Sequence, residues 1–407
     1  MTHASARRRV CFFNRSYWPD TGATGQLLTE LAEGLAATHR FDVTVVCGPP
    51  LTGERLPRSA VHNGVRIVRA SGTRFRPRRF AGRAANYLTY FASAFIAGRR
   101  LPRQDVVVAL TDPPIIGLAA AWSQARARFV FYCQDVFPEV AALLEDFRSP
   151  MADAILTHVN RYLVRRADRV IALDDTMRRR LVDSKGADAA RVSVIHNWAD
   201  PLMFIDAPRD NPFVAGHQLE KRFVVLHAGN IGFSQNLDIV LDAATELRDV
   251  PDVLFLFVGN GTSRADLSRA VEDRGLAHTV RFLPYQQREE MRWSYAAADV
   301  CLISLRAGLS GVIVPSKLYS ILAAGKPFVA AIDEDSSVAR IATEHDCGRV
   351  VQPGDAAGLA RAIRELAGNR QALAAMGCRA RMAASAFTRD GQIAAHASLL
   401  GALSATR

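Results

Sequence analysis

The chain has 407 residues, which is enough for two or three domains. Hydrophobic residues make up 49% of the chain and charged residues 22%, a globular balance that excludes an intrinsically disordered protein. The longest strictly apolar stretches contain about eight residues. A membrane span needs roughly 20, so an integral multi-span membrane protein is also excluded.

Neither a signal peptide nor a metal site is predicted from the first residues and the cysteines. The start, MTHASARRRVCFF, contains basic residues but no apolar segment of signal-peptide length, so we expect a cytoplasmic protein. The cysteines have no metal-ligand spacing, and we expect them to be small buried hydrophobic residues in a reducing compartment. They lie at positions 11, 47, 133, 301, 347 and 378.

The net charge of +11 comes from one local window. Residues 55–104 contain twelve arginines and no acidic residue, so the rest of the chain carries −1. Within it, 84–98 (AANYLTYFASAFIAG) is apolar and aromatic, and we predict that the Arg-rich segment 74–103 lies on an anionic membrane surface. A core helix with a rim of arginines is the alternative. No nucleic-acid-binding motif accompanies the basic window, so we expect no nucleic acid partner.

Short β-branched runs alternate with longer helical patterns along the whole chain. The first half contains helical QLLTELAEGLAAT at 26–38, and the second half repeats the scheme. Such alternation predicts α/β domains with parallel sheets covered by helices on both faces. The strands are predicted at 10–13, 43–46, 65–68, 106–110, 129–132, 170–173, 192–195, 223–227, 253–258, 280–283, 300–303, 328–331 and 349–351.

A stretch rich in Pro, Asn and Asp at 196–212 marks a domain boundary. We predict an N-terminal Rossmann-like domain at 1–198, a C-terminal Rossmann-like domain at 199–385, and a helical tail at 386–407 that packs back on the first domain. Ligands of doubly wound sheets bind beyond the carboxyl ends of the strands. The predicted site is therefore a cleft that the two domains face.

Glycine-bearing loops follow three of the predicted strands and precede helices. Such loops let backbone N–H groups approach a ligand at a helix start. The loop after the first strand is not a GxGxxG sequence, which disfavours a dinucleotide oxidoreductase. The glycines are Gly22 and Gly25 in the first domain and Gly229, Gly232, Gly259 and Gly261 in the second.

The most informative segment is VPSKLYSILAAGKPFVAA at 314–331. A polar loop with Ser316 and Lys317 enters a helix that we expect to end at Gly325. A lysine together with free amides at a helix start is suited to a diphosphate. Lys317 is also one of only four lysines in a chain that otherwise uses arginine.

Taken together, the order GNIG, QNL, VGNG, FLPY, AAADVCLI, VPSKLYSILAAGKP and CGRVVQPGD resembles the GT-B glycosyltransferases of family 4 over nearly the whole chain. TDPPIIGL, QDVFPEVA and HNWAD are similar to its WbuB-like branch, which attaches amino sugars in O-antigen or capsule assembly. The resemblance implies a GT-B fold and retaining transfer of an N-acetylated or deoxy amino sugar from a UDP-sugar to a membrane-linked glycan. It further implies no cofactor and no metal, and an enzyme that is peripheral at the inner face of the membrane.

The family motifs match this sequence unevenly. Relatives have a lysine where Gln235 stands, so Lys317 would supply the phosphate charge, and the two glutamates of the family motif fall at Val312 and Ser320. Gln134 stands at the place of the family's catalytic histidine. Carried over, the donor-binding residues are Gly22, Gly25, Gly229, Asn230, Gly232, Gln235, Asn236, Gly259, Gly261, Leu283, Ser316, Lys317 and Ser320.

Two carboxylates after the strand at 129–132 complete the predicted catalytic group. Asp135 and Glu139 are four residues apart, so a helical loop would place both on one face with Gln134 beside them. One of them could orient the donor sugar or accept the acceptor proton. A charge pair at a helix start is the alternative.

A metal site is predicted nowhere. Asp333-Glu334-Asp335 spells the DxD pattern that metal-dependent transferases use, but an acidic loop is the simpler explanation. Two rival functions remain open from the sequence. They are a sugar-nucleotide 2-epimerase of similar build and a two-domain protein that binds a small molecule without catalysis.

Overall fold

The computed structural model describes residues 7–20, 22–50, 53–54, 56–73, 75, 80–141, 149–205 and 207–405, without the side chains at 80, 81, 83 and 405. Contacts divide the chain into two compact units. The first unit ends at Asn197 and also includes Gly311–Val314 and the segment from Asp390 onward. The second unit consists of Trp198–Ser310 and Pro315–Arg389.

The first unit is built on an eight-stranded sheet whose order is β3-β4-β2-β1-β5-β6-β7-β8. All neighbouring strands are parallel except the antiparallel pair β3 and β4. The strands are β1 Arg8–Phe13, β2 Phe41–Cys47, β3 Ser59–His62, β4 Val65–Arg69, β5 Val106–Ala109, β6 Arg128–Tyr132, β7 Arg169–Ala172 and β8 Val192–Val194.

Helices connect these parallel strands because a parallel pair needs a crossover. They are α1 Ala23–Ala37, α2 Phe80–Arg100, α3 Ile116–Ser123, α4 Pro150–Arg166 and α5 Asp175–Lys185. Ser149 caps α4 by accepting a hydrogen bond from the amide of Ala152, and Asp174 caps α5 through the amide of Met177.

The second unit has a six-stranded, wholly parallel sheet in the order β11-β10-β9-β12-β13-β14. Its strands are β9 Phe223–Ala228, β10 Val253–Val258, β11 Val280–Leu283, β12 Val300–Ser304, β13 Phe328–Ala331 and β14 Gly348–Val351. Its helices are α6 Pro212–His217, α7 Asp238–Glu246, α8 Arg264–Asp273, α9 Met291–Ala297, α10 Lys317–Ala323, α11 Ser337–Glu344, α12 Ala356–Ala367 and α13 Arg370–Ala383.

This strand order reverses between β9 and β12, which makes that point the topological switch of the second sheet. The central strands are continuously apolar and buried, as VLFLFV in β10 illustrates. A sheet covered on both faces requires such runs. The switch point is therefore held on a rigid core and can position side chains accurately.

The last helix, α14 Arg389–Ala405, packs within the first unit. His396 on α14 is buried against the ring of Tyr132 at a centroid distance of 5.1 Å. Gln392 accepts a hydrogen bond from the amide of His196 at 3.1 Å. The C-terminal segment thus belongs to the core of the first unit.

The predicted α/β class and every predicted strand are confirmed. Strand β3 was not predicted, although Asn63-Gly64 between β3 and β4 is a two-residue hairpin loop with positive φ at both residues. The cysteines are buried as predicted with one exception, since Cys378 is exposed. Among the described helices, none is both long and apolar enough to cross a bilayer.

Candidate active site

Lys317 lies against the end of β9, one of the two strands that flank the switch point of the second unit. It is the first residue of α10, and its Nζ donates a hydrogen bond to Oε1 of Gln235 at 2.9 Å. The same Nζ lies 3.2 Å from Nε2 of His227, a buried residue of β9. Two polar side chains from separate segments, those of His227 and Gln235, therefore contact one ammonium group.

The electrostatics of this cluster are unusual for a lysine. Burial lowers the pKa of Lys317 to about 7. Burial and the Lys317 charge hold the pKa of His227 well below its usual range, so its ring is neutral. Among the described residues no carboxylate pairs with Lys317. Its ammonium is therefore a partly buried positive charge suited to an anionic ligand.

The glycine loops around Lys317 are packed backbone against backbone. Gly229 and Gly259 follow β9 and β10 with φ of +123° and +154°, which side chains rarely allow. A Cβ added to Gly259 would lie 1.9 Å from the carbonyl oxygen of Gly229. A Cβ on Gly261 would lie 2.3 Å from the carbonyl oxygen of Ile231. This close packing restricts the backbone of the two loops beside Lys317 to one conformation.

The turn that carries Gln235 begins at Gly232, and Asn236 ends it with φ of +48°. A Cβ on Gly232 would lie 2.7 Å from Nδ2 of Asn230, so that glycine makes room for the asparagine side chain. Arg306 fastens the same turn. Its Nε donates to the carbonyl of Phe233 at 2.8 Å, and its guanidinium stacks on that ring. Sequence reasoning missed Arg306, although an arginine two residues beyond a switch-point strand is a usable signal.

The remaining predicted donor residues have different surroundings. Ser316 directly precedes α10 and is partly buried. The hydroxyl of Ser320 is hydrogen-bonded to buried Tyr295, so it already has a protein partner. The carbonyl of Leu283, at the end of β11, accepts the amide of Gly259 at 3.0 Å. The cluster of Lys317, His227 and Gln235 is thus better suited to a ligand than the hydroxyl of Ser320.

In the first unit, the predicted glycines differ from each other. Gly22 precedes α1, and apart from its chain neighbours no described residue has an atom within 4 Å of the Cβ position there, so the space beside it is open. A Cβ on Gly25 would lie 2.6 Å from Oγ of Ser16, which itself bonds to Asp20. Gly25 therefore makes room for Ser16, and Gly22 alone borders open space.

The segment after β6 forms turns and not a helix. The prediction that Asp135 and Glu139 share one face of a helix is therefore wrong. Glu139 instead forms an ion pair of 2.7 Å with Nζ of Lys185, whose side chain is buried. Gln134 is buried, with its side chain hydrogen-bonded to the hydroxyl of Tyr132. The carboxylate of Asp135 has no hydrogen-bond partner among the described residues, so it is the member of the group that remains available for chemistry.

Asp135 has a neighbouring carboxylate that the sequence reasoning missed. Asp112 follows β5, the next strand of the sheet, and pairs with Nε of Arg15 at 3.1 Å. Burial and the nearby charge of Asp112 raise the pKa of Asp135 to about 6. A carboxylate with that pKa can exchange a proton near neutral pH. The signal was the TDPP sequence, in which an acidic residue stands three positions after a buried strand.

The acidic loop is engaged with neighbouring groups. Both oxygens of Asp333 accept the amide of Gly308, at 3.0 and 3.3 Å, and Glu334 accepts the side-chain amide of Gln352 at 2.7 Å. Within the described ranges, no group of three or more His, Cys, Asp or Glu side chains could hold a metal ion. The metal-free reaction stays a prediction.

Two family models match the chain, one in each half. A glycosyl transferase 4-like domain matches residues 22–198, and the glycosyl transferases group 1 model matches residues 210–383. The chain is 29% identical over 274 residues to a Pseudomonas aeruginosa protein described as a probable glycosyltransferase, WbjE, covering 66% of this chain and 67% of that protein. It is 26% identical over 345 residues to WcaI of Escherichia coli K12, named for colanic acid biosynthesis, covering 78% and 81%.

Solved structures share the fold. Anabaena Alr3699/HepE in complex with UDP has a TM-score of 0.74 at 18% identity, covering 97% of this chain and 100% of that one. Sucrose-phosphate synthase from Thermosynechococcus elongatus has a TM-score of 0.77 at 16% identity, covering 98% and 100%. With the two family models spanning most of the sequence and two doubly wound units in the structure, the chain belongs to the GT-B glycosyltransferases of family 4 and is a glycosyltransferase.

Proposed function

We propose that the enzyme transfers a sugar, an N-acetyl or deoxy amino sugar, from a UDP-sugar to a membrane-linked glycan with retention of configuration. The observation that carries this proposal is the ammonium of Lys317 beside neutral His227 and Gln235, at the switch point of the second sheet. Such a group binds a diphosphate as a charge-assisted hydrogen-bond donor.

The position of Lys317 accounts for a departure from the family pattern. Where relatives have a lysine, this chain has Gln235, and the Oε1 atom of Gln235 accepts a hydrogen bond from Lys317 at 2.9 Å. The positive charge therefore lies beside the place where the family lysine would stand, although it comes from another helix. Because α10 has only seven residues, the proposal rests on the side chain of Lys317 rather than on the helix dipole.

The chemistry follows from where charge develops. As the glycosidic bond of the donor breaks, negative charge grows on the UDP leaving group, and the Lys317 ammonium stabilises it. Asp135, with its raised pKa and free carboxylate, is proposed to orient the donor sugar or accept the proton of the acceptor hydroxyl. Glu139 is left out of these steps because Lys185 neutralises it.

The names of one relative and one structural neighbour support the biological setting. WcaI is named for colanic acid biosynthesis, and HepE was crystallised with UDP. We extend both to this chain as a proposal of surface polysaccharide synthesis from a UDP-sugar. A lipid-linked acceptor and a location at the inner face of the membrane are further parts of this proposal. The predicted contact of segment 74–103 is part of this proposal, but Arg74, Arg76, Arg78 and Arg79 lie outside the described residues.

A thermal-shift screen of UDP, GDP, their nucleotide sugars and the free sugars tests the donor assignment, because a bound ligand raises the unfolding temperature by mass action. We expect UDP and one UDP-sugar to stabilise the wild type but not Lys317→Ala. Lys221→Ala is the matched control, since Lys221 is exposed in the same unit.

The products distinguish the transferase from its rivals. A stabilising donor that transfers sugar only when a lipid-linked acceptor is added supports the proposal. Conversion of the donor to its C2 epimer without acceptor would favour the epimerase. Stabilisation by sugars that lack a nucleotide would favour a binding protein.

A further inference from the structure

Four helices of the first unit, α2 to α5, lie in one layer beside its sheet, and the first three are successive neighbours in it. Helices α2, α3 and α4 connect β4 to β5, β5 to β6 and β6 to β7, and each crossover moves in the same direction along the sheet. Right-handed crossovers therefore place all three on the same side, running in the same direction. Their C-terminal ends consequently lie together, at the edge where the parallel strands begin.

Helix α4 presents an apolar stripe to solvent instead of a polar one. Met151, Ile155 and Tyr162 have exposed fractions of 74%, 54% and 43%. Their spacing, with His158 and then Arg166, follows i, i+4, i+7, i+11 and i+15, which is one side of a helix. The stripe is thus apolar at its start and basic at its end.

Helix α2 has the same arrangement. Leu88 and Ile96, with exposed fractions of 59% and 49%, are two turns apart with exposed Ala92 between them. Exposed Arg99 and Arg100 end the helix. Two helices that run in the same direction therefore repeat one pattern of apolar side chains followed by arginines.

Helix α3 links these two stripes. Its end packs on the end of α2, where the side chain of Gln124 donates to the carbonyl of Gly98 at 2.8 Å. Trp122 is 48% exposed, and its Nε1 donates to the hydroxyl of Tyr162 at 3.2 Å. Tryptophan and tyrosine with one apolar and one polar end are suited to a membrane interface. The three helix ends are therefore joined by direct contacts.

The charge of this surface is mainly positive, because helices α2, α3 and α4 contain a single acidic residue, Asp153 in the first turn of α4. The segments 88–103, 116–126 and 155–166 contain no acidic residue. None of their arginines forms an ion pair with another described residue, and all are exposed. Arg161, Arg165 and Arg166 also border a cleft of about 550 Å³ together with His158 and Tyr162. The arginines are Arg99, Arg100, Arg103, Arg126, Arg161, Arg165 and Arg166.

We infer that this surface, called the α2–α4 face, binds an anionic lipid bilayer, with the exposed apolar side chains inserted and the arginines at the phosphate groups. Charge complementarity selects the bilayer, because seven arginines without an ion pair among the described residues, next to apolar stripes, match a surface that is apolar inside and negative at its rim. The inference extends contact beyond segment 74–103 to α3 and α4. This inference rests on the proposed function only in its explanation of why the enzyme binds a membrane, which is to reach a lipid-linked acceptor.

Flotation of the full chain with vesicles tests this inference. We expect binding to vesicles of phosphatidylcholine with phosphatidylglycerol but not of phosphatidylcholine alone, and weaker binding at high salt. Each arginine should contribute about fivefold to partitioning, so the variant Arg161→Gln, Arg165→Gln, Arg166→Gln should bind about 100-fold less. Its control, Arg248→Gln, Arg269→Gln, Arg361→Gln, makes the same charge change in the second unit and should bind like the wild type.

The fluorescence of Trp122 gives an independent reading, because it is the one exposed tryptophan of four. Brominated phosphatidylglycerol should quench wild-type emission, and Trp122→Phe should remove most of that quenching. UDP affinity should not change in any of these variants, so a folded variant that binds UDP but not vesicles separates this inference from the proposed function.

Three results would overturn the inference. The first is equal binding of the two triple variants, which would mean that only total charge matters. The second is absence of Trp122 quenching while the protein is bound, which would place the contact elsewhere, as on segment 74–79. The third is a concentration-dependent dimer that Trp122→Phe dissociates, which would assign the face to a second copy of the chain.

Discussion

The pH dependence of UDP affinity follows directly from the position of Lys317. Its pKa in the free protein is about 7 because it is buried beside His227, whereas an exposed lysine titrates near 10.5. A bound diphosphate stabilises the charged form and raises that pKa again. UDP should therefore bind best below pH 7, and its affinity should fall about tenfold per pH unit above pH 7 until the pKa of the complex is reached.

Calorimetric titration of UDP at a series of pH values measures this effect. At pH 8 most of the free Lys317 is neutral, so binding should take up close to one proton, seen as a dependence of the heat on the ionisation enthalpy of the buffer. Lys317→Arg stays charged and should flatten the pH profile. Lys317→Ala should lose ~1.5–3 kcal/mol at pH 6.5, the value of a charge-assisted hydrogen bond.

The same pKa also determines how the free energy of unfolding of the free protein depends on pH. The folded pKa of about 7 lies below the unfolded value of 10.5, so the unfolded chain binds more protons between these pH values. Lys317 therefore contributes an increase in stability as pH rises through that window.

If UDP affinity is the same at pH 6.5 and pH 8.5 in a folded wild type, the buried-lysine explanation of donor binding is refuted.

Three further predictions concern the rest of the site. Asp135→Asn should abolish turnover and leave UDP affinity unchanged. In the wild type, kcat plotted against pH should fall on the acidic side with a midpoint near pH 6, and Asp112→Asn should move that midpoint to lower pH because the charge that repels Asp135 is removed. An unchanged midpoint would contradict the electrostatic coupling of Asp112 and Asp135. Gly259→Ala should cost about 3 kcal/mol or more in urea unfolding, since its Cβ would overlap the Gly229 carbonyl, whereas Gly22→Ala borders open space and should cost little. Turnover should persist in excess EDTA and in Asp333→Ala; loss with EDTA and rescue by Mn²⁺ would make the acidic loop a metal site.

The strands were predictable because most of them are buried on both faces and leave continuous apolar runs in the sequence. Strand β3 was missed because SAVH is short and lies at the sheet edge, where burial does not select apolar residues. Its Asn63-Gly64 turn was the available signal. Edge elements thus need turn chemistry rather than hydrophobicity to be detected.

The site was predicted in part. Lys317 stood out because lysine is rare in this chain and because it lies at the start of an apolar helix. Its partner His227 could not be foreseen, since a histidine within a buried strand gives no sign of which loop will cover it. Glu139 was misplaced for a similar reason. Its ion pair with Lys185 joins residues 46 positions apart, and spacing along one helix does not report such contacts.

The most direct test of the donor site uses the scarcity of lysine. With only four lysines in the chain, ¹³Cε-lysine labelling gives four resonances, and the one missing in Lys317→Arg belongs to Lys317. We predict that this resonance titrates with a midpoint near pH 7 in the free protein and that UDP moves the midpoint upward, while the Lys221 resonance does not respond. A Lys317 resonance with a midpoint near 10.5, or one that UDP leaves unchanged, would contradict the assignment of the donor diphosphate to Lys317.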